Sequence, residues 1–500
     1  MTRSWNVRDS ALLVATTALT RWAFRSRFLY DIDSVNFALA LDRFDPRVYQ
    51  PHPPGYFLYV QLGKLARFFF HDSNAALVAV SILASCGTVA MIHLLASAWF
   101  GRSAAIFAGL VFVFSPLAWF HGTVALTYIV EACWSALVGY LCWRVYCGAA
   151  QFAIPAAVAL GLSAGFRQSS LLVLAPLALY SFGRISRLRA LGGIASLLLI
   201  LAAWFVPMIH RAGGLHVYLS SLWSLWALVP ARQTILTSSI AISLVRICLI
   251  VAIFGLCFGL AAPLAFRSSG SPAPSGTKMF TWIWISPGLL LFTCVYLKFV
   301  NSGYLLVLMP PACVWMGRWA ADWYAGTRLK PSLRIMLVAA SAAIHTLIFV
   351  RAPLYCSYRQ VRQSQQQLAA VVASLQQISH PQQTLLIGFD AHFQGYRHAG
   401  FYLPEYLTIQ FPEVPLGSAI GVFAMQNRQT KLERQIAVSS FRDFILFPLP
   451  LSEKEYVDYI YRLRARFPPD KLRVITQNGI EFLGGPISGL PVLFPNTILF

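Results

Sequence analysis

Phe28-Leu29-Tyr30-Asp31-Ile32-Asp33-Ser34 is the stretch around which the rest of the sequence arranges itself. It directly follows an apolar run of membrane-crossing length and places two carboxylates at the end of that run. Residues 1–350 hold 25 Lys and Arg but only eight Asp and Glu, and four of the eight (Asp31, Asp33, Asp42 and Asp45) fall between 31 and 45. Ser34 is placed to cap a helix beginning at Val35. Val35, Ala38, Leu39 and Leu41 then line most of one side, and Asp42, Asp45 and Pro46 mark the end. Carboxylates at a membrane surface can act as a general base or hold a cation. Acids just before a helix also meet its dipole favourably, which is a purely structural use.

Outward from this loop the chain is a membrane protein by composition. Of 500 residues, 57% are hydrophobic and 11% charged, against about 45–50% and about 25% in soluble domains. That excludes an ordinary soluble enzyme, a disordered chain and a disulfide scaffold. The net charge of +21 would suggest nucleic acid in a soluble protein. Here the basic residues are scattered between apolar runs, as loop charges are, and no nucleic-acid partner is expected. The nine cysteines form no C-x-x-C pair and read as small core hydrophobes.

A span needs about 20 mostly apolar residues. Such runs lie near 9–27, 74–98, 103–120, 123–143, 152–165, 168–183, 190–210, 238–266, 280–298, 303–321 and 332–350, about eleven in all. Arg21 interrupts the first run and no small-residue cleavage site follows, so it reads as an uncleaved span. With the N-terminus in the cytoplasm, thirteen Lys and Arg fall on the inner side and eight in the outer membrane loops, the bias of the positive-inside rule. The loop at 28–73 and the chain beyond 350 then lie outside. The charges do not distinguish a periplasm from an ER lumen; the expected location is a bacterial inner membrane.

Within the outer loop, Pro54 to Phe70 is apolar but carries Lys64 and Arg67, and suits a helix lying on the membrane. Before it, Gln50-Pro51-His52-Pro53-Pro54-Gly55-Tyr56 holds a stiff, non-helical backbone with His52 inside it. Trp223 and Trp226 in the loop 211–237 suit headgroup level. From about 351 the apolar runs shorten to strand length. Arg359 to Ile378 reads as an amphipathic helix, Thr384 to Asp390 and Phe444 to Leu449 as strands, and Glu453 to Phe467 as a helix. Val474 to Leu483 reads as a hairpin turning at Asn478-Gly479. The expected organisation is a membrane domain over 1–350 and a small α/β domain over 351–500.

Glu131 is the one acid well inside an apolar run. Intramembrane carboxylates are costly and default to function, although a structural pair with Arg167 serves equally. Arg167-Gln168 caps a tight outer turn, and Lys298-Phe299-Val300-Asn301-Ser302-Gly303-Tyr304 forms another. Cations there suit a lipid phosphate or simply snorkel. Tyr396 to Tyr406 is rich in polar aromatics; it reads as an acceptor contact or as a surface helix ending at Pro404.

The loop pattern resembles the GT-C superfamily of integral-membrane glycosyltransferases, most of all the branch of protein O-mannosyltransferases and the aminoarabinose transferase of lipid A. The resemblance rests on Asp31-Ile32-Asp33-Ser34, on His52-Pro53-Pro54-Gly55-Tyr56 and on Asn301-Ser302-Gly303-Tyr304-Leu305 followed by Pro310-Pro311. It implies a polyprenyl-phosphate-linked monosaccharide donor, an acceptor that is a lipid, protein or glycan, and an active site on the outer face. It implies a first-loop aspartate as base and leaves both Asp33 and Asp31 open, since family members often carry Asp-Glu where this chain has Asp-Ile-Asp-Ser; Asp33 is favoured for its place directly before the expected helix. His52, Tyr56, Glu131, Arg167, Gln168, Lys298 and Tyr304 are the substrate-binding candidates, with Arg167 and Lys298 for the donor phosphate. No cofactor is required, and a divalent cation is an option the carboxylates leave open. The competing readings are a transporter or flippase using Glu131, and a non-catalytic scaffold.

Overall fold

The structure, a computed structural model, describes residues 6–228, 234, 236–258, 273–294, 299–411, 422–433, 435–449, 458, 471–492 and 498–499. It divides into two units, Met1–Arg25 with Pro53–Gln360, and Ser26–His52 with Val361–Phe500.

The first unit is helical. Val7–Ala23, Ser73–Phe100, Arg102–Phe114, Tyr128–Tyr146, Ala153–Phe166, Ser169–Phe182, Arg187–Arg211, Ile240–Phe258, Thr277–Cys294, Met309–Gly326 and Pro331–Arg351 occupy the apolar runs. Among the described residues Ser73–Phe100, Arg187–Arg211 and Pro331–Arg351 are long and apolar enough to cross a membrane by length and composition. Two runs are not single helices. The run at 103–120 breaks at Ser115, and Pro116, which has no N–H to continue the ladder, opens the short helix Pro116–His121. The run at 303–321 opens with the tighter 3-10 coil Phe299–Leu308 before the α-helix starts at Met309. Arg21, which interrupts the first run, is fully buried: it donates to the Val113 carbonyl at 2.7 Å and lies 5.1 Å from the Trp119 ring. Phe57–Phe70 buries Phe57, Tyr59, Val60 and Gly63 and exposes Leu65, Phe68 and Phe69, the two faces of an amphipathic helix.

The second unit is α/β. Its strands are β1 (Thr384–Gly388), β2 (Thr408–Gln410), β3 (Val422–Gln426), β4 (Gln429–Glu433), β5 (Ile436–Ala437), β6 (Asp443–Leu446), β7 (Arg473–Gln477), β8 (Ile480–Pro486) and β9 (Ile498–Leu499). Seven form one sheet in the order β4-β3-β2-β1-β6-β8-β7, with β2, β1 and β6 parallel. β1 is buried along its whole length, as a central strand covered on both faces must be. One cover is the helix Tyr358–Ile378, whose Leu368, Val371 and Leu375 recur at helical spacing and are buried. The β7–β8 hairpin turns at Asn478-Gly479, both at positive φ as a two-residue turn of this kind demands.

Three readings change. The first-loop helix is Ile32–Asp42, capped by Asp31, and Ser34 is buried inside it rather than capping it. Every residue from Ser34 to Leu41 is buried, so the expected one-sided helix is covered all round. Tyr396–Tyr402 is not a surface helix: Tyr396 to Phe401 are all buried where the chain crosses between β1 and β2. The helix expected over Glu453 to Phe467 lies outside the described residues except for Asp458.

Candidate active site

The first-loop carboxylates are held by local hydrogen bonds that give each a different task. Asp31 sits in extended conformation before the helix, and its Oδ1 accepts from the Asp33 amide at 2.9 Å. That is the N-cap, so the structural use is the one Asp31 serves. The Ile32 amide, left without an intrahelical partner in the first turn, donates to the His392 carbonyl at 2.9 Å. His392 Nδ1 lies 4.0 Å from Asp31 Oδ2. Asp45 accepts from Arg43 at 3.0 Å and from Arg47 at 2.8 Å, and caps the short turn Pro46–Val48. Burial would raise the Asp45 carboxyl, but the hydrogen bonds and charges of Arg47 and Arg43 hold it below its ordinary value.

Asp33 is different. It stands in the first turn, where the helix dipole favours negative charge. Its side chain keeps 34% of its surface open, and His52 Nδ1 lies 3.3 Å from its Oδ1. The His52 ring packs 5.8 Å from the Phe37 ring of the same helix. The stiff proline-rich stretch therefore brings His52 to Asp33. Asp390, just past the end of β1, belongs to the same group: burial and the Asp33 charge raise its carboxyl, against the pull of Arg397 and His392. Asp390 and His392 were missed in the sequence. The available signal was their place at and just beyond the carboxyl end of a predicted buried strand, since open sheets bind ligands beyond the carboxyl ends of their strands.

The remaining candidates gather in the first unit. Arg167, 5% exposed, ends the helix Ala153–Phe166. Its Nε lies 3.1 Å from Glu131 Oε2, and its Nη1 donates to Thr127 Oγ1 at 2.9 Å. The guanidinium lies 4.5 Å from the Tyr128 ring, 4.4 Å from Tyr304 and 5.8 Å from Tyr56, a cation caged by aromatic faces. Glu131 is fully buried and its Oε1 accepts from Ser169 and Ser170, both at 3.0 Å. The ion pair offered by the sequence as an alternative for Glu131 is thus what the geometry shows, and a transporter reading loses its free intramembrane acid. Gly303 lets the late turn approach: a Cβ there would stand 2.5 Å from the Tyr128 ring. Gln168 donates to the Pro54 carbonyl at 3.1 Å, as does the Tyr218 hydroxyl. Lys298 lies outside the described residues, and so does the side chain of Asn301. Among the described residues no three His, Cys, Asp or Glu side chains group as a metal site would.

Helices filling the apolar runs, an acid-bearing first loop and a small α/β unit make up a fold similar to that of a membrane protein solved with a polyprenyl phosphate. More particularly, residues 47–189 match the family model described as the Protein O-mannosyl-transferase TMEM260 N-terminal domain. Of the candidate residues, His52, Tyr56, Glu131, Arg167 and Gln168 fall inside that match and Asp31 and Asp33 precede it. The crystal structure of ArnT from Cupriavidus metallidurans bound to undecaprenyl phosphate is similar over 97% of this chain and 98% of its own, at 13% identity and a TM-score of 0.58. The apo form of the same protein is similar over 95% and 97%, at 13% identity and a TM-score of 0.55. Comparison with curated proteins by sequence gives no match. The resemblance read from the loop motifs stands.

Proposed function

We propose that this protein transfers a monosaccharide from a polyprenyl-phosphate-linked donor to an acceptor hydroxyl on the outer face of a membrane, with Asp33 as the base. The observation that carries the reading is the Asp33–His52 pair: an accessible carboxylate at a helix N-terminus, 3.3 Å from an imidazole. The ArnT structure with undecaprenyl phosphate supports the donor class by likeness of fold.

In the reaction, the acceptor oxygen attacks the anomeric carbon as the bond from that carbon to the phosphate oxygen breaks. The electron pair leaves with the polyprenyl phosphate, and Asp33 takes the acceptor proton. A phosphate is already a good leaving group, so the protein mainly positions the reactants and places charge. His52 orients the Asp33 carboxylate. Arg167, its charge balanced by Glu131 and ringed by Tyr56, Tyr128 and Tyr304, is the candidate cation for the donor phosphate, and Gln168 holds the Pro54 carbonyl. Asp31 shapes the helix start. This scheme requires no metal, and a divalent cation at the carboxylates is an addition that removal by chelator tests. About eleven spans, an inner N-terminus and an outer residue 351–500 domain complete the proposal.

The test is turnover of polyprenyl-phosphate sugars by the purified full-length protein in nanodiscs. Consumption of a donor by the natural sequence, with loss in Asp33→Ala and retention in Asp31→Ala at equal expression, is expected. Full transfer in Asp33→Ala would sink the assignment of the base.

A further inference from the structure

Arg397 is the first-turn residue of a helix the sequence offered as an acceptor contact, yet it is 1% exposed. A buried guanidinium must have its donors satisfied, and the partners show what it is for. Its Nη2 donates to the Val48 carbonyl of the first loop at 2.8 Å, and its Nη1 to Thr430 Oγ1 of β4 at 2.9 Å. The rings of Tyr396 and Phe423 lie 5.0 and 5.6 Å from its guanidinium. Thr430 Oγ1 in turn accepts from Gln50 Nε2 at 3.3 Å, and the Gln50 side chain is closed off from solvent. Gln50 also pairs its backbone with Asp45 in both directions, at 2.6 and 3.0 Å. The Tyr49 and Phe423 rings pack 5.5 Å apart.

These contacts pin residues 45–50 of the first loop to β3 and β4. One proline, Pro51, separates Gln50 from His52, and its fixed φ leaves little freedom over that step. We infer that the Arg397–Thr430 clasp is a positioning device for the Asp33–His52 pair: it holds Val48 and Gln50, and through them sets where the His52 imidazole stands relative to the carboxylate. Asp33 on the first-loop helix faces His52; Asp390 and His392 after β1, Tyr49 on the loop and Tyr396 on the crossover helix are the titratable groups around Asp33 and Arg397. Arg397 and Thr430 touch no reacting atom in this scheme and act through His52. The inference rests on the proposed role of Asp33 and His52, and it adds that residues more than 340 positions away in the chain set their geometry.

The experiment uses full-length protein in nanodiscs carrying Thr430→Val, a near-isosteric change that deletes the hydroxyl shared by Arg397 and Gln50. The His52 imidazole is followed through pH by NMR of ring-labelled histidine, its signal identified by its absence in His52→Ala. The clasp predicts that Thr430→Val shifts the His52 titration by half a pH unit or more, read well below a melting temperature that falls because Arg397 and Gln50 each lose a buried acceptor. An unmoved His52 titration overturns the inference, whatever the activity. Turnover gives the second readout. Thr430→Val lowers kcat about tenfold with donor KM unchanged, and costs nothing further in the His52→Ala background, because coupled residues do not add. Additive losses overturn the inference. Arg397→Lys, which keeps the charge without the two-armed fork, falls between the natural sequence and Arg397→Met. A natural sequence that consumes no donor defeats the glycosyltransferase reading instead, and the His52 titration still decides the clasp.

Discussion

Asp33 and Glu131 are both carboxylates set against a basic side chain, and they are built for opposite ends. Glu131 is closed off from water, with Arg167 on one oxygen and two serine hydroxyls on the other. Asp33 has one imidazole neighbour at 3.3 Å and a third of its side chain open. A fully buried ion pair can hold helices in register, but both of its partners are closed off from solvent. An open carboxylate contributes little to stability and keeps its proton capacity for chemistry. Within one chain, burial separates the two acids, and the open one is the acid the proposed scheme uses.

The strongest attempt to break this contrast is Asp33→Asn. Sugar transfer should fall by about 10²–10⁴-fold, the usual worth of a general base, while the melting temperature stays near that of the natural sequence; turnover and scanning calorimetry on the same preparation check both halves. Glu131→Ala should do the reverse. Leaving Arg167 buried without its partner costs roughly 3–5 kcal/mol, so the yield of folded protein in detergent and its melting temperature should drop sharply. An Asp33→Asn protein that melts as early as Glu131→Ala would erase the distinction.

Two smaller effects sharpen it. His398, 1% exposed, is held neutral: burial pushes its imidazole from the ordinary 6.5 down to about 4, although the Tyr30 and Leu29 backbone favours the charged form. Between those values the unfolded chain binds a proton that the folded one refuses. Stability should therefore be full above about pH 6.5 and decline as pH falls towards 4. Melting temperature against pH should show this decline, and His398→Asn, which keeps an acceptor for the Gly395 amide, should flatten it. Smallest is Asp31→Ala, the loss of a helix cap, at about 1 kcal/mol, with most of the transfer activity kept.

What could be read without coordinates follows the range of the interactions. The apolar runs, the buried strand at Thr384–Gly388 and the Asn478-Gly479 turn are set by neighbours a few residues away, and the chain declares them. The Glu131–Arg167 pair was visible because a buried acid near one cation leaves few alternatives. Local competition misled the reading at Ser34, since Asp31 also caps well and takes the helix start three residues earlier. Tyr396 to Phe401 looked like surface because Arg397 and His398 are polar, and the acceptors for the Arg397 guanidinium come from the first loop and β4, both remote in sequence. For the same reason no local pattern showed that Ser26–His52 folds with Val361–Phe500.

That last pairing fixes a timetable. The first loop leaves the ribosome with its aspartates, and 308 residues, Pro53–Gln360, are made before its folding partner begins to appear. At about 5–20 residues per second this is a wait of roughly 15–60 seconds. Through that interval Asp33 and His52 are on a loop without the strands that hold Val48 and Gln50. In the proposed scheme, a chain cut short between His52 and β4 carries both side chains without the Arg397–Thr430 clasp, and the pair is set only once Thr430 has been made.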